Sequence, residues 1–125
     1  MGTFIRILTV CLFMHPTCVL SKELINDAQI REAIVGNTIS GREDGAAYVE
    51  FINPDGRIVG EDRDGRYTGR WRLNEGRICF SYDKDGGKAS DWDCAQVGLE
   101  GSRIVWISDG DRSYADLIQG NPNRF

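Results

Sequence analysis

The chain has 125 residues, which suits a single domain, and its nineteen acidic and fifteen basic side chains give a formal net charge of −4. All nineteen Asp and Glu residues follow residue 21, together with fourteen of the fifteen Lys and Arg residues, so residues 22–125 carry a formal charge of −5. That acidity argues against general binding to nucleic acids and against attraction to anionic lipid surfaces.

The first 21 residues have the three-part layout of a secretory signal peptide. Arg6 is their only Lys, Arg, Asp or Glu residue, and an apolar run over residues 7–14 follows it. That run is about half of the ~20 residues that a membrane-spanning helix needs. We therefore expect cleavage after Ser21. This predicts a signal peptide over residues 1–21 and a single exported β-domain over residues 22–125, with no membrane span in the mature chain.

Cleavage there would remove two of the four cysteines and the only histidine, leaving Cys79 and Cys94. A single cysteine pair in an oxidising compartment most simply forms one disulfide. Closing a separation of 15 residues should stabilise the protein by roughly 3 kcal/mol in the loop-entropy model.

The hydrophobic pattern predicts one helix and then seven or eight short strands. Asn26 or Asp27 can cap a helix over residues 27–35, and Gly36 stands where such a helix ends. After Gly36 the period becomes alternating, and turn signals rich in Asp, Asn and Gly recur about every ten residues. The strand-like runs between these turns are 37–40, 47–52, 57–60, 66–73, 77–82, 92–99, 103–107 and 113–118.

Short connections between successive strands require antiparallel neighbours. The expected fold is therefore mainly β: an antiparallel meander of 7-8 short strands, closed into a small calycin- or lipocalin-like barrel or a folded-over sheet, with one N-terminal helix. The run 66–73 alternates most clearly. Its residues predicted to face the core are Tyr67, Gly69, Trp71 and Leu73.

Cys79 and Cys94 are symmetric about the glycine pair 86–87, where a hairpin would reverse. In that register the two cysteines lie directly opposite each other on neighbouring strands. Trp92 then lies beside the disulfide on one face, and the opposite face carries Ile78, Phe80 and Tyr82 together with Ala95, Val97 and Leu99. The alternative is a disulfide that closes a long irregular loop.

Several short motifs lie between about Ile30 and Asn121. They are Gly36-Asn37-Thr38, Asn53-Pro54-Asp55-Gly56, Gly69-Arg70-Trp71-Arg72, Gly76-Arg77-Ile78-Cys79, the second cysteine Cys94 and Gly120-Asn121-Pro122. Together they resemble the small exported proteobacterial proteins grouped as domain of unknown function 995, although the stretch 83–93 is longer and richer in Asp than in that pattern. The resemblance implies a periplasmic or secreted location in a Gram-negative bacterium, and no particular activity.

Residues 22–125 contain no histidine, and their two cysteines are expected to be oxidised. Most hydrolase mechanisms use a histidine base or a free thiol, and zinc clusters use the same residue types. The segments 62–65 and 83–86 match part of a calcium loop, but Trp71 and Trp92 occupy the position of the bidentate glutamate. Both segments are more typical of hairpin tips. We therefore predict no catalytic residue, no cofactor and no metal site.

A pair of carboxylates is the remaining route to catalysis, as in glycosidic bond cleavage. Glu50 stands out because Tyr48 and Ile52 flank it on one face of an otherwise apolar strand. We prefer the alternative, in which Val49 and Phe51 form the core face and Glu50 points to solvent. A carboxylate-based enzyme therefore ranks third among the functional hypotheses.

Arg66, Arg70 and Arg72 form a candidate anion-binding stripe along one strand face, since guanidinium groups bind phosphate and carboxylate through forked hydrogen bonds. The alternative is a solvated face whose charge is balanced by nearby acidic residues. Trp92 is the best candidate for an exposed aromatic side chain, whereas Trp71 and Trp106 are expected to fill the core.

These patterns favour a protein that acts by binding, without catalysis. The leading hypothesis is an exported interaction module, periplasmic or secreted, for an unknown protein or cell-envelope component. The alternative is a small lipocalin-like carrier of an apolar ligand. A carrier requires an open interior, whereas the many large inward aromatic residues of this small domain predict a filled one.

Overall fold

The structure, a computed structural model, describes residues 22–24 and 26–125, and the predicted signal peptide lies outside these residues. It confirms a mainly β fold, in which eight antiparallel strands close into a barrel and one short helix lies at one end. The elements in chain order are β1 (Lys22–Leu24), α1 (Asp27–Ile34), β2 (Thr38–Glu43), β3 (Ala46–Ile52), β4 (Arg57–Asp62), β5 (Gly65–Asn74), β6 (Arg77–Tyr82), β7 (Asp93–Glu100), β8 (Arg103–Ser108) and β9 (Asp111–Ile118).

The barrel closes because each strand from β2 to β8 pairs with the next and β9 returns to pair with β2. The closing pair joins Thr38–Gly41 to Ala115–Ile118, so β2 and β9 separate beyond Gly41. β1 was not predicted from the sequence. It pairs with the Val97–Leu99 part of β7, just past the point where the pairing of β6 with β7 ends.

The helix α1 covers one end of the barrel. It starts at Asp27 because the side chain of Asn26 accepts a hydrogen bond from the backbone N–H of Gln29 at 2.8 Å. Ile30 is fully buried against the barrel core. The carboxylate of Asp27 accepts a hydrogen bond of 3.0 Å from the backbone N–H of Gly76, in the turn between β5 and β6. These contacts fix the helix over the end that carries the β3–β4 and β5–β6 turns.

The half of the barrel next to α1 is filled. Its core consists of aliphatic side chains and one tryptophan, namely Ile30, Ile34, Ile39, Ile52, Ile58, Trp71, Ile78, Val97, Ile104, Ala115 and Leu117. The indole N–H of Trp71 donates to the carbonyl of Asn53 at 2.7 Å, so the one polar group of this side chain is satisfied on burial. Gly69 is buried like Trp71, whereas Arg70 and Arg72 are exposed, as the alternation of β5 predicted.

Cys79 on β6 and Cys94 on β7 are directly paired and form the predicted disulfide. The connection between these strands is not a simple hairpin, because Ser90 donates its N–H to the carbonyl of Tyr82 at 2.7 Å, one residue out of the cysteine register. Two residues, Asp91 and Trp92, therefore stand opposite the single residue between Phe80 and Tyr82, as in a β-bulge. β7 begins only after this bulge, one residue later than predicted.

Candidate functional site

The half of the barrel opposite α1 contains an open cavity of about 730 Å³. The predicted filled interior is therefore found only in the half next to the helix. The walls of the cavity are rich in aromatic side chains, namely Tyr48, Tyr67, Phe80, Tyr82, Trp106 and Tyr114. Large inward aromatic residues are present, as the sequence indicated, but in this half they line the interior without filling it.

Glu50 lies at the inner end of the cavity and is only 4% exposed. Two residues further along the same face of β3, Ile52 is fully buried in the filled half. Since side chains alternate along a strand, Tyr48, Glu50 and Ile52 all point into the barrel. The preferred prediction that Glu50 faces solvent is therefore wrong.

The C-terminal segment explains why that prediction failed. The hydroxyl of Thr38, on the outer face of β2, donates to the carbonyl of Gly120 at 2.7 Å. The guanidinium of Arg66, on the outer face of β5, lies 5.5 Å from the ring centroid of Phe125. Between these contacts the segment passes the outer face of β3 and β4, which accounts for the 9% exposure of Phe51. Both faces of β3 are therefore covered, and apolar residues occupy both.

Two tyrosine hydroxyls from β5 and β6, on the far side of β4, hold the Glu50 carboxylate. Tyr67 on β5 donates to Oε2 at 2.9 Å. Tyr82 on β6 lies 3.1 Å from Oε2 and 3.2 Å from Oε1. The two rings meet edge to face, with centroids 5.7 Å apart. Glu50 is thus oriented by two donors that lie on adjacent strands, β5 and β6.

Burial raises the pKa of Glu50 from 4.5 to about 7, and the charge of Glu43 acts in the same direction. The hydrogen bonds from Tyr67 and Tyr82 favour the ionised form, but they do not offset the burial. Burial and the charge of Glu50 raise the pKa of Tyr48 to about 12 and raise the pKa values of Tyr67 and Tyr82 further. Near neutral pH the tyrosines are therefore protonated donors, whereas Glu50 titrates.

Three of the four cavity tyrosines lie against a glycine on the neighbouring strand. The cross-strand pairs are Tyr48 with Gly41, Tyr67 with Gly60, and Tyr82 with Gly69. A Cβ atom on Gly60 would stand 2.4 Å from the ring of Tyr67, and one on Gly41 would stand 2.8 Å from the hydroxyl of Tyr48. The absence of these Cβ atoms lets the rings lie close to the sheet. This arrangement keeps an aromatic-rich interior open.

The mouth of the cavity is acidic. Two arginines, Arg42 and Arg63, line it together with the acidic residues Glu43, Asp44, Asp62, Asp64 and Asp93. With Glu50 included, the lining has six carboxyl groups against two guanidinium groups, a formal charge of −4 when all are ionised. Asp62 accepts a hydrogen bond of 2.8 Å from the backbone N–H of Asp64, so this segment serves as a hairpin tip.

The predicted anion-binding stripe lies on the outer face of β5, away from the cavity, and each of its arginines stacks on an aromatic ring. Arg66 lies over Phe125, as described above. Arg70 and Arg72 lie 5.7 Å and 4.2 Å from the ring centroid of Trp92. Trp92, predicted to be exposed, is half-buried. Arg70, Arg72 and Trp92 thus form one outer cluster that is separate from the Glu50 site.

Sequence reasoning named Glu50 and assigned Tyr67 to the core, and it placed Tyr82 on one face of its strand, but it gave neither tyrosine a polar role. A usable signal was present in the β4–β5 hairpin, whose turn at residues 63–64 places Gly60 opposite Tyr67. A glycine facing a tyrosine inside a barrel indicates that the ring lies over the glycine. That geometry sends the hydroxyl across β4 toward β3, where Glu50 lies.

Comparison of the chain with protein-family models, curated proteins and solved structures found no match. The resemblance to domain of unknown function 995 therefore stays a prediction. Within residues 22–24 and 26–125, no helix has both the length and the apolar character needed to cross a bilayer.

Proposed function

We propose that this protein binds a small ligand in the open half of its barrel and acts as a binding protein or carrier without catalysis. The observation that carries this proposal is the cavity itself. Its volume of about 730 Å³ falls within the range of roughly 300–1,000 Å³ that is typical of ligand pockets. Aromatic walls offer a ligand large contact area, and a few converging polar groups would orient it.

The environment of Glu50 favours ligand binding rather than catalysis. Its hydrogen-bond partners among the described residues are Tyr67 and Tyr82, whose raised pKa values make them poor proton donors, so they do not relay protons to Glu50. Glycosidic cleavage requires a second carboxyl group at a defined distance across the scissile bond. The other carboxyl groups that line the cavity lie at its mouth. A carboxylate-based enzyme therefore stays the third-ranked hypothesis.

We also propose that the protein is exported and works in the periplasm or outside a Gram-negative cell. The signal-peptide pattern of residues 1–21 supports this location. The disulfide between Cys79 and Cys94 supports it as well, because disulfides persist in oxidising compartments.

An interaction module is the second candidate, and the outer cluster favours it. Trp92 is half-buried between Arg70 and Arg72, and tryptophan and arginine are enriched among the residues that dominate protein interfaces. The cavity is the better-supported site because its polar groups converge on one point.

Native mass spectrometry of the protein purified from an exporting host, without reductant, tests the proposed function. Ala95→Trp would place an indole in the cavity, whereas Gln96→Trp places the same side chain on the exposed face of β7. We expect a noncovalent small-molecule adduct on the wild-type protein and on Gln96→Trp, and its loss from Ala95→Trp.

Circular dichroism checks that both variants are folded. An adduct that persists on folded Ala95→Trp would place the ligand elsewhere. Wild-type protein that carries no adduct would contradict the proposal, and a co-purifying protein chain would favour the interaction module.

A further inference from the structure

The cavity combines a buried carboxylate, an aromatic wall and an acidic mouth. We infer that its ligand carries a protonated amine or a quaternary ammonium group on an apolar body, and that Glu50 is the counterion of that group. This inference rests on the proposed function and specifies the class of ligand.

The first step concerns the charge of Glu50. The structure records one salt bridge within the described residues, between Arg57 and Asp55 on the surface, and Glu50 takes no part in it. A buried ion without a partner costs several kcal/mol, and a partner of opposite charge offsets that cost. A ligand cation beside Glu50 would supply the partner that the described part of the chain does not.

The second step concerns the remaining acceptor capacity of Glu50. An ionised carboxylate has about four acceptor positions, and here two hydroxyl donors, those of Tyr67 and Tyr82, occupy part of that capacity. Both hydroxyls already donate to Glu50, so an N–H donor from a ligand would not have to displace them. The charge-assisted bond formed in this way is stronger than a neutral one.

The third step concerns the walls. Cations are attracted to the faces of aromatic rings, and this attraction is stronger where the cation is desolvated. The rings of Phe80 and Trp106 meet edge to face, with centroids 5.7 Å apart and an interplanar angle of 86°. Tyr67 and Tyr82 are also nearly perpendicular, at 74°. These two edge-to-face pairs would present ring faces in more than one direction to a compact cationic group and its apolar body.

The fourth step concerns access. The formal charge of −4 on the cavity lining attracts cations and repels anions. The two positive groups of the lining, Arg42 and Arg63, lie at the mouth, whereas Glu50 lies at the inner end. The mouth, with five carboxyl groups against these two guanidinium groups, therefore attracts a cationic ligand, and Glu50 is the carboxyl group that this ligand meets at the inner end.

Three probes of similar shape differ in the charge of their end group, so they separate the effect of charge on affinity from the effect of size. They are 2-phenylethylamine, 2-phenylethanol and phenylacetate. Binding is followed at slightly alkaline pH by amide chemical shifts of cavity residues and by calorimetry. For the wild-type protein we expect the amine to bind at least about tenfold more tightly than the alcohol, a difference of about 1.4 kcal/mol. Phenylacetate should bind more weakly than either.

The matched variants are Glu50→Gln and Glu61→Gln, the second of which changes an exposed carboxyl group on the outer face of β4. Glu50→Gln should lower the affinity for the amine to that for the alcohol and leave the affinity for the alcohol nearly unchanged. Glu61→Gln should preserve the preference for the amine. Far-UV circular dichroism verifies that both variants are folded.

The outcomes distinguish a failure of the cationic-ligand inference from a failure of the proposed function. Equal affinities for amine and alcohol in the wild-type protein would overturn the cationic-ligand inference and leave the proposed function standing. An amine preference that survives Glu50→Gln would overturn the assignment of Glu50 as counterion. Cavity signals that respond to none of the probes at millimolar concentration would overturn the proposed function itself.

Discussion

The two halves of this barrel are built from the same strands but differ in what those strands carry inward. On β3, Ile52 belongs to the filled half and Glu50, two residues away on the same face, belongs to the open half. The filled half packs branched aliphatic residues beneath α1. The open half holds larger side chains, yet it contains the cavity because three of them lie over glycines. Glycine placement therefore decides which half is open as much as the size of the inward residues does.

The difference also divides stability from function. Burial of aliphatic side chains in the filled half stabilises the fold, at roughly 25 cal/mol per Å² of apolar surface removed from water. The open half instead buries a carboxyl group whose pKa is raised, which is unfavourable for the ionised form. The filled half is thus expected to offset the free-energy cost of the open one.

The largest change in stability should come from removing side-chain volume in the filled half. Ile52 is fully buried, so Ile52→Ala should lower the free energy of unfolding by about 2–5 kcal/mol through lost burial and the space left behind. Chemical denaturation at neutral pH measures this change. Below the unfolding transition, affinity for a cavity probe should be unchanged.

Val49→Ala is the matched control, because Val49 is half-buried on the outer face of the same strand. We expect it to cost less than Ile52→Ala. If the two substitutions were equally costly, or if Ile52→Ala abolished probe binding in the folded protein, the division between the halves would be wrong.

Replacing Glu50 should change the free energy of unfolding in the opposite direction from Ile52→Ala. The pKa of Glu50 is raised on folding to about 7 from 4.5, so the native state binds more protons than the unfolded state between these values. Stability contributed by Glu50 is therefore fully present below 4.5 and is lost as the pH rises through about 7. Glu50→Gln removes this titration and should stabilise the protein above pH 7 by about 3 kcal/mol relative to its effect in acid.

The measurement is the free energy of unfolding of both proteins across this pH range. Tyr67, Tyr82 and Tyr48 surround Glu50 and have pKa values raised to about 12 or beyond, so they stay protonated throughout. The Glu43 charge also raises the Glu50 pKa, so Glu43→Gln should shift the wild-type transition slightly to lower pH. Glu61→Gln should leave it in place. Parallel pH profiles for wild type and Glu50→Gln would contradict this prediction.

The fold could largely be predicted because turn signals and alternation agree with each other. The β5 pattern oriented Trp71 correctly, and the glycine pair 86–87 gave the register of Cys79 with Cys94. These inferences depend on residues close in sequence. Local patterns are sufficient when one face of a strand is polar, as on β5.

The candidate site was harder to predict because it depends on distant contacts. The orientation of β3 is ambiguous from its own residues, since the C-terminal segment covers the outer face and lets Phe51 be apolar there. The position of Trp92 depends on a bulge that adds one residue to one strand only. The cavity depends on glycines of three strands that face tyrosines of their neighbours.

The smallest expected change in stability concerns the outer cluster, which belongs to neither half of the barrel interior. Arg72 lies 4.2 Å from the ring centroid of Trp92, and a cation–π contact near the surface is worth about 0.5–1 kcal/mol. Arg72→Ser should therefore lower the free energy of unfolding by about that amount, and Arg70→Ser, whose guanidinium lies at 5.7 Å, should lower it less. Denaturation followed by tryptophan fluorescence measures both changes.

Arg77→Ser is the matched control, since Arg77 is exposed on β6 and no stacked ring is recorded for it within the described residues. Neither Arg72→Ser nor Arg70→Ser should alter affinity for a cavity probe, because the outer face of β5 is separated from Glu50 by the barrel wall. If Arg72→Ser weakened probe binding in the folded protein, the outer cluster and the cavity would be coupled through β5. The amine preference would then have to be measured again with the outer arginines removed, because their charge would be acting on the same ligand as Glu50.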